Sequence, residues 1–208
     1  MRLYPPAKRL FDLFISLFAA IVLLPMMILI VIAIRLSSRG PAVFVQERAG
    51  KDAKPFRMYK FRTMRSDVEA FGPSPRSGDD PRLTRIGRLL RETSLDELPQ
   101  LLNIIKGEMA LVGPRPLYVA QIAEWNDREK QRLLVKPGIT GLAQVSGRGG
   151  LTREEKLELD VRYVETADLL TDLKILLATV AQVFGRTSIY EKKYSRTEQT
   201  RQGRRDGG

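Results

Sequence analysis

The sequence predicts an α+β, mostly helical chain built from an N-terminal membrane helix, a small β-hairpin and a compact helical domain. Three observations predict this. Residues 13–34, "LFISLFAAIVLLPMMILIVIAI", carry no charge; β-branched and aromatic runs follow in "PAVFVQERAG" and "KPFRMYKFRTM"; and beyond residue 84 apolar residues recur at helical spacing. The expected boundaries are a membrane element at 1–36, a domain at 37–190 and a basic, disordered tail at 191–208.

The first element has the length of a bilayer crossing, about 20 apolar residues. It is too long for a signal-peptide core, and no small-residue cleavage site follows, so it is expected to be retained. Lys8 and Arg9 precede the run and Arg35 and Arg39 follow it, which draws both ends toward the cytoplasm. Pro25 lies near the midpoint, where it removes a helical hydrogen bond. Each arm of about 12 residues reaches only about 18 Å, short of a hydrocarbon core of about 30 Å. A re-entrant helix broken at Pro25 is therefore expected, with a single kinked span as the alternative.

The two β-type runs around Gly50 predict a hairpin, and "SDVEAFGPSPRSGDDP" at 66–81 a surface loop. Short helices are expected at 84–90 and 98–105, and an amphipathic helix at 117–134 around Trp125, ending before Pro137. "KPGITGLAQVSGRGG" is expected as a glycine-rich loop, followed by helices at 152–164 and 169–184. The last carries Leu169, Leu173, Leu176, Leu177, Val180 and Phe184 on one stripe, expected as ordinary core, with a helix lying on the bilayer as the other reading.

Composition restricts the chemistry. With 35 Lys and Arg against 24 Asp and Glu, the formal charge of +11 calls for anionic partners: nucleic acid, acidic lipid or phosphorylated substrates. The absence of cysteine and histidine excludes disulfides, thiol nucleophiles, His or Cys zinc sites and imidazole bases. Any catalysis must rest on carboxylates, Lys, Arg, hydroxyls or a hard metal.

"TSLDELPQLLNIIKG" places Asp96 and Glu97 side by side. Ser94 with Glu97 fits a capping box, which would make the acids a helix start signal. Pro99 would then fall inside the helix, where its ring is costly; if the helix begins at Pro99, both acids lie just ahead of its positive end. Position alone leaves both readings open. The surroundings are cationic: Arg85, Arg88 and Arg91 upstream, Arg115 stiffened between Pro114 and Pro116, and Arg148 in "QVSGRGG".

"YKFRTM", "DPRLTRIGRLLRETSLDELPQLLNIIKGEMALVGPRPL" and "KPGITGLAQVSGR" resemble the bacterial sugar transferase family, the monotopic polyprenyl-phosphate phosphoglycosyl transferases, in their small bacillosamine-type form. The resemblance runs from about Lys8 to Arg186. It implies a cytoplasmic catalytic domain with interfacial amphipathic helices at the bacterial inner membrane. The implied reaction moves a sugar 1-phosphate from a UDP-sugar to polyprenyl (undecaprenyl) phosphate, releasing UMP, as the first membrane step of glycoconjugate assembly. Asp96 matches the family's nucleophile, which forms an acyl phosphate, and Glu97 the adjacent acid associated with magnesium; both are the expected metal ligands. Lys60 matches the lysine held near the pair, while Arg91, Pro114, Arg115 and Arg148 match positions used around phosphates. Pro25 matches the mid-helix proline, although relatives often carry Ser before it where this chain has Leu24.

The implied cofactor is Mg2+, a hard cation that suits carboxylate and phosphate oxygens. The implied partners are a UDP-sugar, polyprenyl phosphate and membrane lipid, with a second copy of the chain allowed and no nucleic acid. The short form points to an N-acetylated amino or diamino sugar, with galactose and glucose open. The rival is a catalytically inactive, membrane-anchored basic scaffold that binds acidic lipid or nucleotide by charge.

Overall fold

The computed structural model describes residues 6–68, 75 and 77–185. The tail at 191–208, the end of the expected domain and part of the loop expected at 66–81 lie outside the described residues. The elements are α1 (Pro6–Ser37), β1 (Val43–Ala49), β2 (Pro55–Phe61), α2 (Arg85–Glu92), α3 (Leu101–Lys106), β3 (Ala110–Val112), α4 (Asp127–Lys130), β4 (Gly138–Thr140), α5 (Leu142–Ser146), α6 (Arg153–Thr166) and α7 (Leu169–Gly185), joined in part by short 3₁₀ turns.

Helix α1 runs for 32 residues with Pro25 inside it. A missing proline N–H deletes one hydrogen bond while those on either side persist, so the expected break at Pro25 is corrected: the two arms are halves of one helix. Both halves pack on the same domain. Phe11, Ile15, Ala19 and Ala20 join a core of Phe56, Leu101, Ile104, Met109 and Val112, and Met26, Ile30, Val31 and Ile34 join a second core with Phe61, Leu90, Leu95 and Leu98. Polar contacts hold both ends. Lys8 is buried against Asp172 at 2.5 Å and Asp12 at 3.5 Å, and Tyr163 donates to Asp172 at 2.6 Å. Arg9 donates to the carbonyls of Ile104 and Ile105 at the end of α3, and Arg62 to those of Ser38 and Arg39 just after α1. The other face of α1, with Leu10, Phe14, Leu17, Phe18, Ile21, Leu24, Ile28, Leu29 and Ile32, is exposed.

The expected hairpin is present: β1 and β2 pair antiparallel from Val43↔Phe61 to Ala49↔Pro55. Helix α6 lies where a helix is expected at 152–164, and it starts on a full capping box, Thr152 with Glu155. Three more expectations are corrected. The helix at 117–134 is instead a 3₁₀ turn (Val119–Glu124), α4 and a second 3₁₀ turn (Gln131–Leu134), because Trp125 is extended and Asn126 caps a new helix with Glu129. The glycine-rich segment holds β4 and α5, and β4 pairs parallel with β3 through Ala110↔Gly138 and Val112↔Thr140. On α7 most of the stripe is not core: Leu169, Leu173, Leu177 and Val180 are exposed, while Leu176 packs on the core and Asp172 and Ile175 face inward. Apolar faces of this extent on α1 and α7 exceed the scattered surface hydrophobics of a soluble monomer.

Candidate active site

The acid pair lies in a 3₁₀ turn, Leu95–Gln100, between α2 and α3. Ser94 before it is left-handed (φ 58°), and its side chain makes no cap hydrogen bond, so the capping-box reading is corrected. Pro99 lies within this turn and α3 begins only at Leu101, so a helix starting at Pro99 is also corrected. The tighter turn tolerates the proline and leaves the Glu97 side chain to partners across the fold.

Three supports fix this turn. Asn103 of α3, fully buried, accepts from the Tyr59 amide at 3.1 Å and donates to the Arg57 carbonyl at 2.7 Å, stitching α3 to β2. Helix α2 docks on the segment after β2: Thr84 caps it by accepting from the Gly87 amide, and Gly87 lies against the Thr63 carbonyl. In its last turn Arg91 donates to Thr63 at 3.0 Å. The segment carrying Arg115 is held by the Gly138 amide, which donates to the Pro114 carbonyl at 3.0 Å, and by Arg132, which donates to the Arg115 carbonyl at 2.6 Å. Arg132 is buried in a pair with Asp160 at 2.6 Å and faces the Trp125 ring.

These supports bring Lys60, Arg91, Asp96, Glu97 and Arg115 together. Lys60 and Arg115 both donate to Glu97 Oε1, at 2.9 and 2.8 Å. Burial raises the Glu97 carboxyl, but Arg115 and Lys60, by charge and hydrogen bond, reverse this and hold it well below the usual range. Asp96 is only 8% exposed. Burial and the neighbouring Glu97 push it up to about 6, against the pull of Lys60, Arg91 and Arg115. Burial also lowers the Lys60 ammonium, against the attraction of Glu97. Two adjacent carboxylates thus have opposed environments: one permanently charged and clamped, the other poised near neutrality.

Among the remaining expected site residues, Pro114 acts through its backbone, and Pro25 lies on the exposed side of α1, away from this cluster. Arg148 opens a 3₁₀ turn, Arg148–Gly150, and its side chain lies outside the described part. The sequence reading missed Asn103, Arg132 and Asp160. An asparagine inside the apolar helical run "LLNIIK" was the one available signal for the first; the Arg132–Asp160 pair spans 28 residues and left none.

As hard oxygen donors, Asp96 and Glu97 fit Mg2+, which typically takes one or two carboxylates together with phosphate oxygens. No group of three or more Asp or Glu among the described residues forms an all-protein cage.

Comparison with known proteins shows the family. The family described as bacterial sugar transferase matches residues 3–186. The uncharacterized sugar transferase EpsL of Bacillus subtilis is 42% identical over 191 residues, 92% of this chain and 94% of EpsL. A UDP-glucose:undecaprenyl-phosphate glucose-1-phosphate transferase of Caulobacter vibrioides is 40% identical over 88% of this chain and 72% of its own length. The galactosyl transferase CpsE of Streptococcus agalactiae is 41% identical over 85% of this chain but only 42% of its own length. With the family match covering every described residue and a relative 42% identical along nearly its whole length, this protein belongs to the bacterial sugar transferase family.

Proposed function

We propose that the chain transfers a sugar 1-phosphate from a UDP-sugar to polyprenyl phosphate at a membrane surface, through a covalent intermediate on Asp96. The observation that carries this reading is the buried Asp96 flanked by Lys60, Arg91 and Arg115. An Asp96 oxygen attacks the sugar-bearing phosphorus, the bond from that phosphorus to the bridging oxygen breaks, and UMP leaves with that oxygen and its electron pair. An oxygen of the lipid phosphate then attacks the same phosphorus, releasing Asp96 and forming the polyprenyl diphosphate sugar. Dividing the transfer this way keeps two anionic substrates from having to meet at once. Arg115 and Lys60 fix Glu97 and supply positive charge where phosphoryl oxygens gain negative charge. Asp96 and Glu97 would hold Mg2+, which when bound neutralises diphosphate charge.

The apolar faces of α1 and α7 support a membrane-bound domain, and both halves of α1 packing on that one domain support a re-entrant anchor with both ends on the cytoplasmic side. The chain has no native cysteine, so Ala7→Cys and Arg39→Cys test this without background. An impermeant thiol reagent should label both from the cytoplasmic face only; labelling from opposite faces would establish a span.

One relative named for UDP-glucose and another named a galactosyl transferase are the reason to begin a donor panel with UDP-glucose and UDP-galactose. The direct test is UMP release from such a panel with undecaprenyl phosphate and magnesium. One donor should release UMP; none doing so across glucose, galactose and N-acetylated amino sugars would end this reading.

A further inference from the structure

We infer that Arg48 is a further substrate-binding residue of this site, whose guanidinium, held by Tyr118 and Gln46, receives the phosphate of the nucleotide half of the donor. The inference deepens the proposed function and rests on it.

The first argument is an unbalanced charge. The Arg48 guanidinium lies 3.6 Å over the Tyr118 ring and donates through Nη2 to Gln46 Oε1 at 2.5 Å, while Gln46 Nε2 donates to the Tyr118 hydroxyl at 3.2 Å. Its Nε is buried and has no hydrogen-bond partner. No carboxylate among the described residues forms an ion pair with it, whereas Arg132 is paired with Asp160, and Lys60 and Arg115 with Glu97. A guanidinium stays charged at any working pH. Held in a half-buried position by neutral partners alone, it is unfavourable unless an anion completes it.

The second argument is location. Strand β1 delivers Arg48 opposite Phe56, and the next residue, Ala49, donates its amide to the Leu117 carbonyl at 2.9 Å. That bond ties the end of β1 to the segment carrying Arg115 and Tyr118. Arg48 stacks on Tyr118, three residues beyond Arg115, and Arg115 donates to Glu97, so Arg48 stands on the Arg115 side of the cluster. With the reacting phosphorus at Asp96, the second phosphate of the donor extends past Arg115 toward Arg48. Tyr118 and Gln46 then preorganise the fork that binds it.

The test uses the full-length chain in nanodiscs. Arg48→Gln should weaken UMP binding about tenfold or more, the loss of one charge-assisted contact, and raise the KM for the UDP-sugar, leaving the KM for polyprenyl phosphate unchanged. Arg48→Lys should fall between. A purely structural role would lower the melting temperature and leave UMP affinity in place, so a folded Arg48→Gln protein with UMP affinity and donor KM within about twofold of the parent overturns the inference. If that variant does not fold, phenylglyoxal modification of the unaltered chain decides: UMP should protect Arg48, and no protection overturns the inference. Failure of the parent to release UMP from any donor would count against the proposed function instead, and the two outcomes are separable.

Discussion

Replacing Asp96 by Asn should make the protein more stable while it loses all transfer activity. Burial and Glu97 raise the Asp96 carboxyl from 3.8 to about 6. The native state therefore binds a proton more tightly than the unfolded chain does, so Asp96 disfavours folding wherever it must be ionised. At 1.36 kcal/mol per tenfold difference, the penalty is about 3 kcal/mol at pH 8, about half that at pH 5 and under about 1 kcal/mol at pH 4. Asn has the shape of the neutral acid and carries no such penalty. For a chain of this size each kcal/mol is about 2–4 °C, so Asp96→Asn should melt as much as about 10 °C above the parent at pH 8, the gap closing as pH falls. The assay is thermal unfolding of both proteins in one detergent, without magnesium, from pH 4 to 8, with UMP release measured in parallel. A variant no more stable than the parent at pH 8, or a gap that does not change with pH, would refute the assigned environment of Asp96.

Glu97→Gln removes the carboxylate that Lys60 and Arg115 share; transfer should fall at least about 100-fold, with a raised magnesium requirement, seen in a metal titration of UMP release. The rate at low donor concentration should fall as pH drops through about 6, because Asp96 attacks only when ionised; a pH–rate profile in saturating magnesium should show that inflection moved downward. Gly87→Ala would put a Cβ 1.8 Å from the Thr63 carbonyl oxygen, which is fixed backbone; helix α2 must shift, costing about 1–3 kcal/mol and loosening the Arg91–Thr63 contact, as denaturant unfolding would show. Lys8→Met strands both Asp172 and Asp12 in the interior and should cost about 3–5 kcal/mol, part of which Lys8→Met with Asp172→Leu should restore in a double-mutant unfolding cycle, Asp12 staying uncompensated.

What could be read from the sequence was local. The uncharged run, the hairpin around Gly50 and the helix expected at 152–164 are each written in one short stretch, and all three appear. The parallel pairing of β3 with β4 could not be read, because three-residue strands have no usable period and their partners are 28 residues apart. Helical spacing was right for α7 but wrong about its surroundings, since a leucine stripe is the same whether core or lipid covers it. The 117–134 segment failed for the opposite reason: its apolar spacing suited one helix, but the Asn126 side chain captured the Glu129 amide and started another. At the site, motif resemblance picked out Asp96, Glu97, Lys60, Arg91 and Arg115. It could not show that two cations converge on one oxygen of Glu97 while burial raises the neighbouring Asp96 to about 6, because that division of roles depends on burial.

The central claim is that Asp96 itself carries the phosphosugar between donor and acceptor. Mass spectrometry of protein mixed with a turned-over UDP-sugar and magnesium, without lipid acceptor, and quenched in acid tests it most directly. The account predicts a sugar-phosphate mass on the peptide containing Asp96, discharged by adding polyprenyl phosphate and absent from Asp96→Asn. Robust turnover with that peptide never modified, or the same adduct on Asp96→Asn, would contradict it.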